Sequence, residues 1–214
     1  MTTVAVRGES VREVEPELAA FTVVISARDR DRETTLNRLR ERSDALRQFL
    51  DRYADAIERR ETGGLHVHPE GSKRGERVTA YAGSVSTTVT VKDFAALGEM
   101  MLAVAGQDQT HVAGPTWSLR LDSPVYREAR RAAIDEVIAR AREYAAALGA
   151  EVTELLELSD PGMGRAPDAF PVYQATYGVP QSRSAGAELQ LDPQLQRVSA
   201  AVEARFTVTS PTVL

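Results

Sequence analysis

Between Leu18 and Ile57 the chain changes its hydrophobic period once, and that change limits what it can fold into. Leu18 to Arg28 (LAAFTVVISAR) is β-branched and apolar, which predicts a well-buried strand. From about Asp31 to Ile57 the apolar residues Leu36, Leu39, Leu46, Phe49, Leu50, Tyr53 and Ile57 fall three or four apart. That spacing draws one apolar stripe along a long helix whose other faces carry Arg and Glu. Gly63-Gly64 is expected to close this unit.

The same reading extends along the chain. Val4, Val6 and Val11 alternate with polar residues in a first short strand, which Glu15-Pro16-Glu17 breaks. Leu65 and Val67, within Arg59 to Glu70, mark a third strand, and Gly71 to Gly75 a hairpin turn. Val78 to Lys92 is a long Thr- and Val-rich strand, with Gly83 suggesting a bulge or bend. Asp93 suits the N-cap of a short helix that Gly106 stops. His111 to Leu121 follows as a strand, with Gly114-Pro115 at its start or at a bulge. Ser123-Pro124 opens a second long helix, with apolar positions from Ala129 to Leu148 in register and Gly149 closing it. Glu151 to Leu158 and Gln196 to Thr209 are the last strands. The order ββαββαβαββ predicts an α+β fold: mixed or mostly antiparallel sheets, with two long helices and one short helix packed on them. Residues 1–214 form one unit, or two α/β lobes. A doubly wound dinucleotide fold needs strict βαβ units and a glycine fingerprint, and the sequence has neither.

Composition narrows the chemistry. With no cysteine, disulfides and thiolate metal sites are excluded. The 26 basic and 31 acidic residues leave a net charge of −5, which gives no reason to expect nucleic-acid binding. Apart from Lys73 and Lys92 the basic residues are arginines, a sign either of a GC-rich genome or of carboxylate and phosphate recognition. The first eight residues hold no basic and apolar leader, and no apolar run reaches the length of a spanning helix. A cytoplasmic protein with no membrane span is therefore expected.

No nucleophile elbow or phosphate-binding loop is present, and no catalytic or cofactor-binding residue is assigned. His66 and His68 stand two apart on a predicted strand, so both imidazoles face one side and are the candidate metal ligands. A site would need Glu70 or His111 as well; otherwise the two are exposed histidines near a turn. Residues 159–191 are rich in Pro, Gly and Ser, without a period, yet hold Phe170, Tyr173 and Tyr177. These aromatics either tuck onto the parent sheet or pack on a neighbouring subunit, and are the candidate oligomer interface. Two function classes follow: a non-enzymatic self-associating protein, or a small-molecule or metal-binding protein or enzyme using His66, His68 and nearby arginines.

Several stretches together resemble the SIMPL-domain family, a bacterial domain of unknown function that includes periplasmic immunogenic proteins. Val4-x-Val6-x-Gly8-Glu9, Val11 and Pro16-Glu17-x-Ala19 are similar to its first hairpin, and Asn37 to a helix position. Ala80-Tyr81-x-Gly83 resembles a strand motif, with Ala80 in place of Gly. The helix Glu128-Ala129-Arg130-x-x-Ala133-Ile134-x-x-Val137-x-x-Arg140-Ala141, continuing to Ala145 and Leu148-Gly149, is the most specific stretch. Asp192-Pro193 resembles a Pro-Gly-Glu motif, with Gln194 replacing Gly. The resemblance covers about residues 3–209 and implies an α/β fold, no established activity or catalytic residues, ring-like homo-oligomers for some members, and links to envelope or oxidative stress.

Overall fold

The structure, a computed structural model, describes residues 2–71, 78–163 and 191–213. These fall into two compact units. One holds β1 (Thr2–Val14), α3 (Pro124–Ala147), β6 (Val152–Ser159) and β7 (Gln196–Val208). The other holds β2 (Leu18–Asp29), α1 (Arg32–Asp51), β3 (Ile57–Gly71), β4 (Val78–Val91), α2 (Leu97–Ala105) and β5 (Thr110–Ser118). Among the described residues the strand pairs are antiparallel, so the α+β expectation holds.

In the larger unit the sheet order is β3-β4-β2-β5. Alternate residues of β2, from Ala19 through Phe21, Val23 and Ile25 to Ala27, are buried. They share a core with Val85, Val89 and Val91 of β4, Leu39, Leu46 and Leu50 of α1, and Leu97, Met100, Met101 and Val104 of α2. The period-2 face of β2 and the 3.6-period stripe of α1 thus meet each other. Trp117 packs edge-on against Phe94, ring centroids 4.9 Å apart.

Helix α1 starts where Asp31 accepts hydrogen bonds from the Thr34 backbone N–H at 2.7 Å and its hydroxyl at 3.0 Å. Those donors stabilise the carboxylate and hold the Asp31 pKa below its ordinary 3.8. The stability it supplies is therefore present above that ordinary value and is lost as pH falls through the lowered one. Asp31→Ala should lower the melting temperature at neutral pH, and the gap to wild type should narrow in acid. Thermal melts followed by circular dichroism across that range check this; a gap that does not change with pH would mean the charge is irrelevant to the cap.

Several boundaries differ from the sequence reading. Helix α1 ends at Asp51, a short turn follows, and Ile57 already belongs to β3. Gly63-Gly64 does not close the unit; it lies inside β3, where the pairing with β4 shifts register between Thr62 and Leu65. Gly83 sits in unbroken register with Ala27 and Val67, and its missing side chain leaves room for Leu39 rather than making a bulge. Gly114-Pro115 does fall at an irregularity, opposite β2 between Ala20 and Thr22. Of the expected hairpin turn only Gly71 is among the described residues.

The smaller unit is a three-stranded sheet, order β1-β7-β6, with α3 on one face. The β1–β7 register runs unbroken from Thr2 opposite Val208 to Val14 opposite Gln196. Ala129, Ala133, Val137, Ala141 and Ala145 form the buried stripe of α3. Small side chains let the helix approach β1 so closely that a β-carbon on Gly8 would lie 2.7 Å from the Val137 backbone nitrogen. Arg140 fastens the two elements, donating to the Arg7 carbonyl and to Glu136, each at 2.7 Å. Ser123 accepts from the Val125 N–H at the N-terminus of α3, and Gly149, at φ +64°, ends it in the left-handed region.

Candidate functional site

The strand read as EVTELLEL forms β6, and its place at the edge of the smaller sheet makes it the leading candidate surface. Val152, Leu155 and Leu158 lie opposite Val208, Phe206 and Ala204 of β7, so they share the face that carries α3. Among the described residues the helix covers the centre of that face and leaves the edge open: Leu155 is 50% exposed and Leu158 45%. The register shifts between Leu155 and Glu157, and Leu156 at this bulge is 48% exposed. Three exposed leucines in four positions stand beside Glu154 and Glu157, whereas β1 at the opposite edge carries Arg7, Glu9, Arg12 and Glu13 with a single large exposed apolar side chain, Val11. Charged edges discourage further association, whereas apolar ones invite it.

His66 and His68 lie on β3 of the larger unit, both exposed and on one face, opposite Ser84 and Ala82 of β4. Among the described residues the fold gathers no further ligands around them. Glu70 is ion-paired with Arg28 at 2.6 Å, and His111 sits on β5, separated from β3 by two intervening strands. Among the described residues no group of three or more His, Asp or Glu side chains could hold a metal ion. Phe170, Tyr173 and Tyr177 lie outside the described residues, as does most of the 159–191 segment.

The displaced pKa values also have local, structural causes. Besides Asp31, the Glu58 carboxyl is lowered chiefly by hydrogen bonding to Arg120, and the Tyr53 hydroxyl is raised chiefly by donating to Glu99 at 2.7 Å. Asp31 and Tyr53 stand at opposite ends of α1. No helix among the described residues is long and apolar enough to cross a membrane.

These features define a class: α+β units built from helix-covered antiparallel sheets, with three exposed leucines on the strand at one sheet edge. The family model of SIMPL, described as a protein of unknown function, matches residues 4–206. The chain belongs to that family. It is also similar to the 26 kDa periplasmic immunogenic proteins of Brucella melitensis and Brucella abortus. Each is 27% identical over 188 residues, covering 81% of this chain and 72% of the relative.

The periplasmic relatives overturn the cytoplasmic location expected from the first residues. The opening residues form β1, and a strand's alternation reports its sheet rather than its compartment. A chain without cysteine is equally compatible with oxidising and reducing compartments.

Proposed function

We propose that this protein is a non-enzymatic periplasmic component that works as a homo-oligomer, with the β6 edge as its principal self-association surface. The exposure of Leu155, Leu156 and Leu158 on a proline-free edge strand carries this reading. A second copy of the chain would remove those side chains from water, at about 1.5–3 kcal/mol for each leucine fully buried. The names of the Brucella relatives support the compartment, and the family resemblance supports the oligomer. A role in envelope or oxidative stress accords with the same resemblance.

Phe170, Tyr173 and Tyr177 are proposed to supply a second contact, on the sequence argument alone. Sedimentation velocity of the intact chain at tens of micromolar tests the assembly. A species heavier than the 23.3 kDa chain is expected; a clean monomer would remove the proposal. If the aromatics contribute, deleting Ala166 to Ala185 should shift the assembly toward monomer. Unchanged sedimentation of the deletion variant would leave β6 as the sole surface and discard the aromatic contact.

A further inference from the structure

A cleft of about 320 Å³ opens in the larger unit between α1 and the β3–β4 hairpin. Its floor is apolar, made by Leu39 and Val85 from the core and by Leu36 and Leu65 at the mouth. Leu36 is 38% exposed and Leu65 59%, although both flank a concave surface where a ligand could cover them. Residues 36, 40, 43 and 47 fall on one side of α1, so Arg40 and Arg47 stand in line with Leu36 along the rim. Arg60 approaches from β3, donating to Asp51 at 2.7 Å and to the Arg47 carbonyl at 3.4 Å.

The charge of this cleft opposes that of the whole chain. Its lining has three arginines and a single carboxylate, Asp44, in a protein of net charge −5. Arg47 reaches Asp44 only at 3.5 Å, and Arg40 makes no hydrogen bond or ion pair among the described residues. Arg60 is already oriented by two acceptors, so its remaining donors are held at the cleft with little further loss of freedom. An apolar floor with a few convergent polar groups is the usual make-up of a small-molecule pocket, and this volume lies at the small end of the range of about 300–1,000 Å³.

We infer that the cleft binds a small amphiphilic carboxylate, its apolar body over Leu36, Leu39 and Leu65 and its head group against Arg40. A guanidinium matches a carboxylate with two parallel donors, and such charge-assisted bonds are strongest beside apolar surface. The size excludes a diacyl lipid or a folded peptide and suits a short acyl chain or a substituted aromatic acid. This site lies apart from His66 and His68, whose side chains are on the opposite face of β3 from the cleft.

The test uses the intact chain and three probes that share one tail: octanoate, 1-octanol and octylammonium, titrated calorimetrically below their aggregation limits. Octanoate is expected to bind saturably at one site per chain, with the alcohol weaker and the ammonium weakest. Arg40→Gln, an exposed helix position, should weaken octanoate by about tenfold, as for loss of a charge-assisted bond, and leave octanol unchanged. Leu65→Asn should weaken both probes. Circular dichroism melts of each variant separate loss of binding from loss of folding. Non-saturating octanoate binding, equal affinity for the three probes, or an Arg40→Gln variant that binds octanoate like wild type would each overturn the assignment.

Discussion

Gly8→Ala should destabilise the smaller unit by about 3 kcal/mol, the upper end for an overpacked core. The added methyl would lie 2.6 Å from a Val137 methyl and 2.7 Å from its backbone nitrogen, and closer still to the Ala133 carbonyl oxygen. Two of these three atoms are helix backbone, so no rotamer change relieves the clash. Helix α3 would have to move off β1, stretching the Arg140 bond to the Arg7 carbonyl and opening the packing around Val6 and Val202. Urea unfolding followed by far-ultraviolet circular dichroism measures the loss. An unchanged midpoint would show that β1 and α3 are not this close.

Phe21→Ala should cost about 4 kcal/mol in the larger unit, within the usual range for a buried phenylalanine. Phe21 is 1% exposed and pairs across the sheet with the fully buried Val89. It belongs to the core that joins both sheet strands to α1 and α2, so truncation leaves a cavity that no exposed neighbour can collapse into. Phe21→Leu keeps most of the volume and should lose less. Equal losses for the two variants would mean that the fit of the aromatic ring, rather than buried apolar area and volume, sets the cost.

These effects bear on what the resemblance to the family consists of. Along α3, Ala129, Ala133, Val137 and Ala141 are the buried stripe, Arg140 ties the helix to β1, and Glu128 pairs with Arg12 at 2.8 Å. In β1, Val6 and Gly8 are the positions that face this helix. The stretches that most resemble the family therefore build the sheet–helix contact. That accounts for a sequence in which the family can be read but an activity cannot.

Local chemistry announced some elements completely. Ser123-Pro124 and Gly149 bracket α3 because a cap, a preset φ and a left-handed stop act within a few residues. The end of α1 was hidden for a physical reason. Tyr53 and Ile57 continue the helical spacing because both pack into the core that α1 faces, and a hydrophobic period reports burial rather than backbone conformation. Ile57 reaches that core from a strand. The candidate surfaces were less accessible still. The sequence marks EVTELLEL as a strand, but only the order β1-β7-β6 makes it an edge. Likewise, the spacing of His66 and His68 puts them on one face, while the distance to His111 depends on β4 and β2 lying between. The cleft needs Arg40 on a helix and Arg60 on a strand to converge, and nothing in either segment alone signals that.

The central claim is that the β6 edge holds copies of this chain together, and sedimentation velocity of a variant tests it most directly. Leu155→Lys, Leu156→Lys and Leu158→Lys are combined in one chain, with folding checked by circular dichroism. All three side chains are about half exposed, so the fold should survive their replacement. Wild type is expected to sediment as an assembly, and the folded variant as a 23.3 kDa monomer. A folded variant that sediments like wild type would contradict the claim.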